Sequence, residues 1–249
     1  MIILKSPQEI VTMREANQIV ADILETLRQK ATEGTTTLEL NDTAEYLAKK
    51  RKASCAFKGY RGFPYALCTS INEVVVHGMP SSYCLKEGDI VSLDFGIHYR
   101  GFFGDAAITI PIGNVTKEAE SLIQTTKDCL KFAIDRMHEG NRLSDISACI
   151  QGHAESHGYS VVRDFVGHGI GRELHEDPQV PNYGKPGTGI RLKKGMVLAI
   201  EPMVNSGNHG IKILEDGWTA TTVDMSLSAH FEHSVAITEN GPYILSMPR

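Results

Sequence analysis

The chain has 249 residues, with 30 acidic against 25 Lys and Arg side chains and a formal charge of −5, which argues against a general nucleic-acid or anionic-membrane surface. Its 41% hydrophobic and 22% charged residues exclude disorder and collagen-like or mini-protein scaffolds. The longest apolar run, Met196 to Ile200, is five residues, far short of the roughly twenty of a membrane span; Lys5 cuts the apolar N-terminus before a secretion signal could form, and five cysteines without a Cys-x-x-Cys pair suit a reducing cytosol.

Ser6-Pro7-Gln8-Glu9 is a capping-box sequence with proline at the first helical position, and Ile10, Met13, Val20, Ile23, Leu24 and Leu27 follow at helical spacing. The spacing predicts a long first helix. A second, capped by Thr37 or Asn41, runs to about Lys52. Strand-like stretches follow at Glu73–Val76, Ile90–Phe95 and Ala106–Ile110. A third helix extends from about Thr116 to near Met137, and a fourth from Ser144 to His157 with Gly158 as its stop. Strands at Met196–Ile200 and Ser234–Thr238 complete the order.

Helix, helix, strands thus occurs twice, which suggests a duplication. Leu85-Lys86-Glu87-Gly88-Asp89-Ile90-Val91-Ser92-Leu93-Asp94 aligns without a gap on Leu192-Lys193-Lys194-Gly195-Met196-Val197-Leu198-Ala199-Ile200-Glu201. Val76-His77-Gly78-Met79 similarly matches Gly167-His168-Gly169-Ile170, and Asp105 before Ala107-Ile108-Thr109 matches Glu232 before Ala236-Ile237-Thr238. Each half supplies a histidine and a pair of carboxylates. No Pro- or Ser-rich linker separates the halves, so residues 1–249 are expected to form one domain with halves of about 1–113 and 114–249.

Carboxylates beside apolar strands are costly to bury without a cation, a metal or several donors. Asp94, Asp105, Glu201 and Glu232 all sit beside such runs, and no Lys or Arg lies within them. A hairpin turning near Tyr99-Arg100 would set Asp94 opposite Asp105 with both side chains on one face. His168, read as part of a glycine-flanked loop, could approach the acids. Four carboxylates and one imidazole suit a site for two divalent cations, with Mn, Fe, Co or Zn favoured by the mixed donor set.

Val74-Val75-Val76-His77-Gly78, Ser92-Leu93-Asp94-Phe95-Gly96, Gly104-Asp105, Gly167-His168-Gly169-Ile170-Gly171, Ala199-Ile200-Glu201-Pro202 and His230-Phe231-Glu232-His233 together closely resemble type I methionine aminopeptidases over essentially the whole chain. The resemblance implies an α+β pita-bread fold, two pseudo-twofold-related halves whose helices cover a curved antiparallel sheet. It implies that Asp94, Asp105, His168, Glu201 and Glu232 bind two divalent metal ions. Glu201 would also shuttle the proton, His175 would stabilise the tetrahedral oxygen and His77 would contact the scissile amide. Tyr60, Phe63, Cys68, Leu174 and Trp218 would form the methionine slot, with Phe63 standing where tyrosine is usual and Leu174 where phenylalanine is common. The implied function is cytoplasmic removal of initiator methionine from nascent chains with a small second residue, by a monomer that meets the ribosome near its exit tunnel and binds neither DNA nor membrane. The alternatives are an Xaa-Pro aminopeptidase, usually built with an extra N-terminal domain for which this chain has no room, and a non-catalytic pita-bread binding module, which the full set of ligand positions disfavours.

Three other signals point elsewhere and are set aside. His153 and His157 lie one helical turn apart, but Glu155 falls on the opposite side of the helix, so a zincin motif is not formed and that face reads as packing. Lys49-Lys50-Arg51-Lys52 reads as a solvated helix end. Gly167 to Gly171 lacks the lysine and hydroxyl residue of a phosphate-binding loop.

Overall fold

The structure is a computed structural model, described for residues 1–248. Helix α1 spans Pro7–Lys30, and its capping box is formed as the sequence indicates: Glu9 N donates to Ser6 Oγ (3.3 Å) and Ser6 N to Glu9 Oε2 (2.8 Å). Helix α2 spans Thr37–Lys50 and is capped by Thr36, paired with Glu39 in a second capping box, rather than by Thr37 or Asn41; it ends two residues before Lys52. Helices α3 (Lys117–Ile134) and α4 (Leu143–Ser156) follow; α3 stops short of the expected Met137 because Asp135 and Arg136 already form a turn, and α4 has its expected length, displaced by one residue toward the N-terminus.

The main sheet has nine strands, all antiparallel to their neighbours. At its centre lies a long hairpin, Ile90–Tyr99 with Phe102–Pro111, longer in both arms than the apolar runs alone indicate. Its turn is Arg100-Gly101, where both residues have positive φ (49° and 81°), the geometry of a two-residue type I′ turn. The hairpin pairs with Glu232–Thr238 of the second half, which in turn pairs with Val197–Ile200. One continuous sheet therefore crosses from the first half of the sequence into the second.

The helices cover one face of this sheet. α1 and α2 pack on Val91, Leu93, Phe95, Ile97, Ala106 and Ile110, and α3 and α4 on Leu198, Ile200, Val235 and Ile237. Because strand residues alternate between faces, the intervening positions point to the other, concave side. A smaller sheet lies there and also joins the halves: Val74–Val76 pairs with Ala220–Thr222, which pairs with Ile211–Ile213. Among the described residues no helix is long and apolar enough to cross a membrane.

Candidate metallopeptidase site

Strand register accounts for how the polar residues converge. Asp94 lies opposite Ala107, and Gly96 opposite Asp105, so the expected pairing of Asp94 with Asp105 is off by two residues. The turn falls one residue later than anticipated, which moves the sum of paired positions by two. An even shift preserves facing, so both carboxylates still share the concave side. Glu232 opposes Ala107 and falls on the same face. Ser234 and His168 both oppose Ala199, which places Glu201, two residues past Ala199, with them. Cys68, opposite Asp94, joins the set.

His168 is in a strand, Val166–Gly169, rather than in a loop. The flanking glycines, which suggest a loop in the sequence, have a packing cause: a Cβ on Gly169 would lie 2.2 Å from the Asp177 carbonyl oxygen, and one on Gly167 2.5 Å from that of Ala199. Neighbouring backbones press on both sides of the histidine and fix its direction.

The resulting cluster is strongly acidic and poorly compensated. Ligand atoms of Asp105, His168 and Glu232 lie within 4.8 Å of one another, and His168 Nε2 is 3.5 Å from Glu201 Oε1. Asp94 Oδ1, Asp105 Oδ1 and Glu232 Oε1 are buried without a hydrogen-bond partner. Burial pushes the Asp94 carboxyl up to about 7. Burial first, and then the neighbouring carboxylates, hold Asp105, Glu201 and Glu232 well above the ordinary range. Buried, unpaired and mutually repelling acids are unfavourable unless positive charge is supplied. The donor set of carboxylate oxygens with one imidazole fits divalent cations.

Around this cluster lies one pocket that contains all the residues singled out from the sequence: Tyr60, Phe63, Cys68, His77, Asp94, Asp105, His168, Leu174, His175, Glu201, Trp218 and Glu232. Its apolar side is aromatic, with Phe63 edge-on to Trp218 at 5.3 Å between ring centres. Trp218 meets His77 at 6.1 Å because Val76 and Ala220 are register partners in the smaller sheet. His77 itself has a positive φ of 59°, unlike the strand-borne His168 to which the repeat relates it. Tyr60 lies in a single 3-10 turn and stacks on His175 at 5.3 Å, with 2.9 Å between its hydroxyl and His175 Nδ1. Cys68 is fully buried, and burial followed by the charges of Asp94, Asp105 and Glu232 raises its thiol well above the ordinary value, so it lines the pocket as a neutral group.

The imidazoles at the site are held neutral. Burial, reinforced by His175, lowers His77 to about 4 and His168 to about 3. His175 is lowered by burial and by the Arg61 charge. Phe57 and Arg61 also line the pocket, and no motif in the sequence marks them. His230 is a further omission: it is 1% exposed, its Nε2 has no hydrogen-bond partner, and that atom lies 3.9 Å from Glu201 Oε2. It stands two residues before Glu232 in the His-Phe-Glu-His motif, the signal that marks it in the sequence.

The set-aside histidines stay outside the site. His153 is half-buried against Phe132, whereas His157 is exposed at the end of α4 and does not pack as the face reading implies. Lys49 to Lys52 are exposed, with Arg51 paired to Asp22 at 3.0 Å.

Comparison with known proteins agrees with this geometry. Residues 11–239 match the model of metallopeptidase family M24. The chain is 53% identical to a methionine aminopeptidase of Clostridium perfringens, over 99% of each chain. It superposes on the crystal structure of methionine aminopeptidase from Thermotoga maritima with a TM-score of 0.97 and 50% identity, again over 99% of both. A prolidase from Pyrococcus horikoshii shares the fold, with a TM-score of 0.78 and 22% identity over 99% of this chain and 64% of that one. The chain belongs to metallopeptidase family M24, and within it to the methionine aminopeptidases.

Proposed function

We propose that the protein hydrolyses the peptide bond after an N-terminal methionine when the second residue is small, using two divalent ions held by Asp94, Asp105, His168, Glu201 and Glu232. The observation that carries the reading is the convergence of an uncompensated four-carboxylate cluster and an aromatic slot in one pocket. Two doubly charged ions would balance the four carboxylates, and the donor set suits Mn, Fe, Co or Zn. When bound, such ions acidify a water and polarise a carbonyl.

The protein groups supply orientation and proton transfer. His168 Nδ1 lies 2.9 Å from the Gly169 carbonyl oxygen, which assigns the proton to Nδ1 and leaves the Nε2 lone pair toward the carboxylates. Glu201 would take the proton of the attacking water and return it to the leaving amine. The role of His175 requires the tautomer in which the Tyr60 hydroxyl, 2.9 Å away, donates to Nδ1 and Nε2 carries the hydrogen that is donated to the oxygen becoming negative. His77, neutral and set between the edges of Phe165 and Trp218, is the donor placed for the scissile amide. Tyr60, Phe63, Cys68, Leu174 and Trp218 form a slot for a flexible thioether, which gains from contact with aromatic rings. The substrates would be nascent chains met by a cytosolic monomer near the ribosome.

The test is mass-spectrometric cleavage of Met-Ala, Met-Leu, Ala-Ala and Ala-Pro peptides by metal-stripped protein, with Mn, Fe, Co or Zn restored singly. Metal-dependent release from Met-Ala alone is the expected result. Cleavage of Ala-Pro would move the protein to the proline peptidases, and no cleavage with any ion would leave a binding module.

A further inference from the structure

The segment before α1 carries a lysine that is almost completely buried. Lys5 Nζ pairs with the Glu176 carboxylate, and the two side chains are 3% and 5% exposed. Among the described residues, the other Lys and Arg ion pairs join side chains at least 31% exposed. A buried pair must offset the loss of water around both charges, so stability alone is a poor reason for it.

Its position suggests a different reason. Glu176 Oε1 accepts hydrogen bonds from the backbone N–H groups of Arg172 (2.8 Å) and Glu173 (3.3 Å), which closes residues 172–176 on themselves. Lys5 is itself tethered, its ammonium to the Ile3 carbonyl oxygen at 3.0 Å and its backbone N–H to that of Gly195 at 2.7 Å. A Cβ on Gly171 would lie 2.4 Å from Lys5 Cε and 2.6 Å from Glu176 Oε1, so the loop passes tightly over the pair. A second link runs in parallel: Arg172 pairs at 2.9 Å with Glu9, the residue that caps α1, and lies 4.7 Å from the centre of the Phe102 ring. The loop so held presents Leu174 and His175 to the pocket.

We propose that Lys5 and Glu176 are positioning residues: their buried pair fixes the loop from Gly171 to Glu176 so that Leu174 walls the slot and His175 meets Tyr60 and His168. This assignment rests on the aminopeptidase reading of the pocket. Neither residue touches substrate; both act through the loop. The N-terminal segment thereby becomes part of the catalytic apparatus rather than a strap on the surface.

The test compares metal-loaded full-length protein with Lys5→Met and with Lys5→Met/Glu176→Gln. It reads kcat and KM for Met-Ala-Ser, amide hydrogen exchange over residues 170–177, and the Mn dissociation constant by calorimetry. Lys5→Met is expected to lower kcat/KM per folded site at least tenfold and to speed exchange of the Arg172 and Glu173 amides at least tenfold. Mn affinity should stay within threefold. The double variant leaves no unpaired buried charge, so it carries the same expectation if Lys5→Met does not fold. A lowered melting temperature with unchanged kcat/KM and unchanged exchange would overturn the proposal. Wild-type protein inactive with every metal would overturn the aminopeptidase reading instead, while the exchange result still decides whether the pair orders the loop.

Discussion

Removal of the metal should give the protein an unusual dependence of stability on pH. In the metal-free protein, burial and mutual repulsion keep protons on carboxyls that the unfolded chain loses near pH 4: Asp94 is displaced from 3.8 to about 7, and Asp105, Glu201 and Glu232 lie well above their ordinary values. Between pH 8 and 6.5 the unfolded carboxyls are ionised while the folded cluster holds protons, so stability rises as the pH falls. Each proton so retained is worth about 1.4 kcal/mol per pH unit, or about 2 kcal/mol across this window. For a chain of this size that raises the midpoint by about 4–8 °C. Below pH 6.5 the rise is increasingly offset, and it reverses only toward pH 4, where the unfolded carboxyls also take up protons. His77 and His233, lowered to about 4, and His168 and His230, lowered to about 3, stay neutral when folded but become charged when unfolded. Saturating Mn should invert the first trend, because ions and protons compete for the same oxygens. Scanning calorimetry of chelator-treated protein at pH 8.0, 7.2 and 6.5, with and without Mn, measures this directly. A metal-free midpoint that is flat or falls on acidification through that window refutes the account of a buried, uncompensated acidic cluster.

Other perturbations test single contacts. Tyr60→Phe removes the hydroxyl that fixes His175; with a net hydrogen bond worth about 1 kcal/mol, kcat for Met-Ala-Ser should fall about fivefold with little change in KM. Leu174→Ala opens the wall of the slot at a site 1% exposed, and should raise KM for methionyl peptides about tenfold while lowering stability by about 2–3 kcal/mol in urea titration. Gly169→Ala sets a Cβ 2.2 Å from a backbone carbonyl oxygen; a loss of about 3 kcal/mol or more and weaker Mn binding by calorimetry are expected. Gly101→Ala strains a turn residue with φ of 81° and should cost about 1 kcal/mol with kcat/KM unchanged, a control showing that hairpin stability and activity can be separated.

The sequence disclosed those features whose cause is local. α1 is legible because Ser6, Pro7 and Glu9 cap it and its apolar residues recur at helical period. The carboxylates are legible because an acid beside an apolar strand has few inexpensive explanations. Features set by distant partners were harder to read. The strand carrying His168 looks like a loop, since its glycines answer to the carbonyls of Ala199 and Asp177 rather than to any turn. Leu67–Ile71 is too short and mixed to stand out as a strand, yet it seats Cys68 beside Asp94. His230 stands in the same motif as Glu232, but its closeness to Glu201 follows from the pairing of Met203 with His230. Lys5 likewise reads only as the end of an apolar patch until Glu176 is seen across from it.

The alternation of the central strands imposes a reading frame of two on the polar face. Asp94, Asp105 and Glu232 each keep their direction because the hairpin and its seam with Glu232–Thr238 count residues in pairs. Divergence that lengthens or shortens a strand between Asp94 and the Arg100-Gly101 turn is therefore confined to even steps: a single inserted residue would turn Asp94 toward the underside of α1 and bring the apolar Leu93 into the acidic cluster. The turn itself carries no such restriction, so variation in the length of this hairpin should collect at its tip, and the lineage is free to change the edge of the sheet while the spacing along its centre stays fixed.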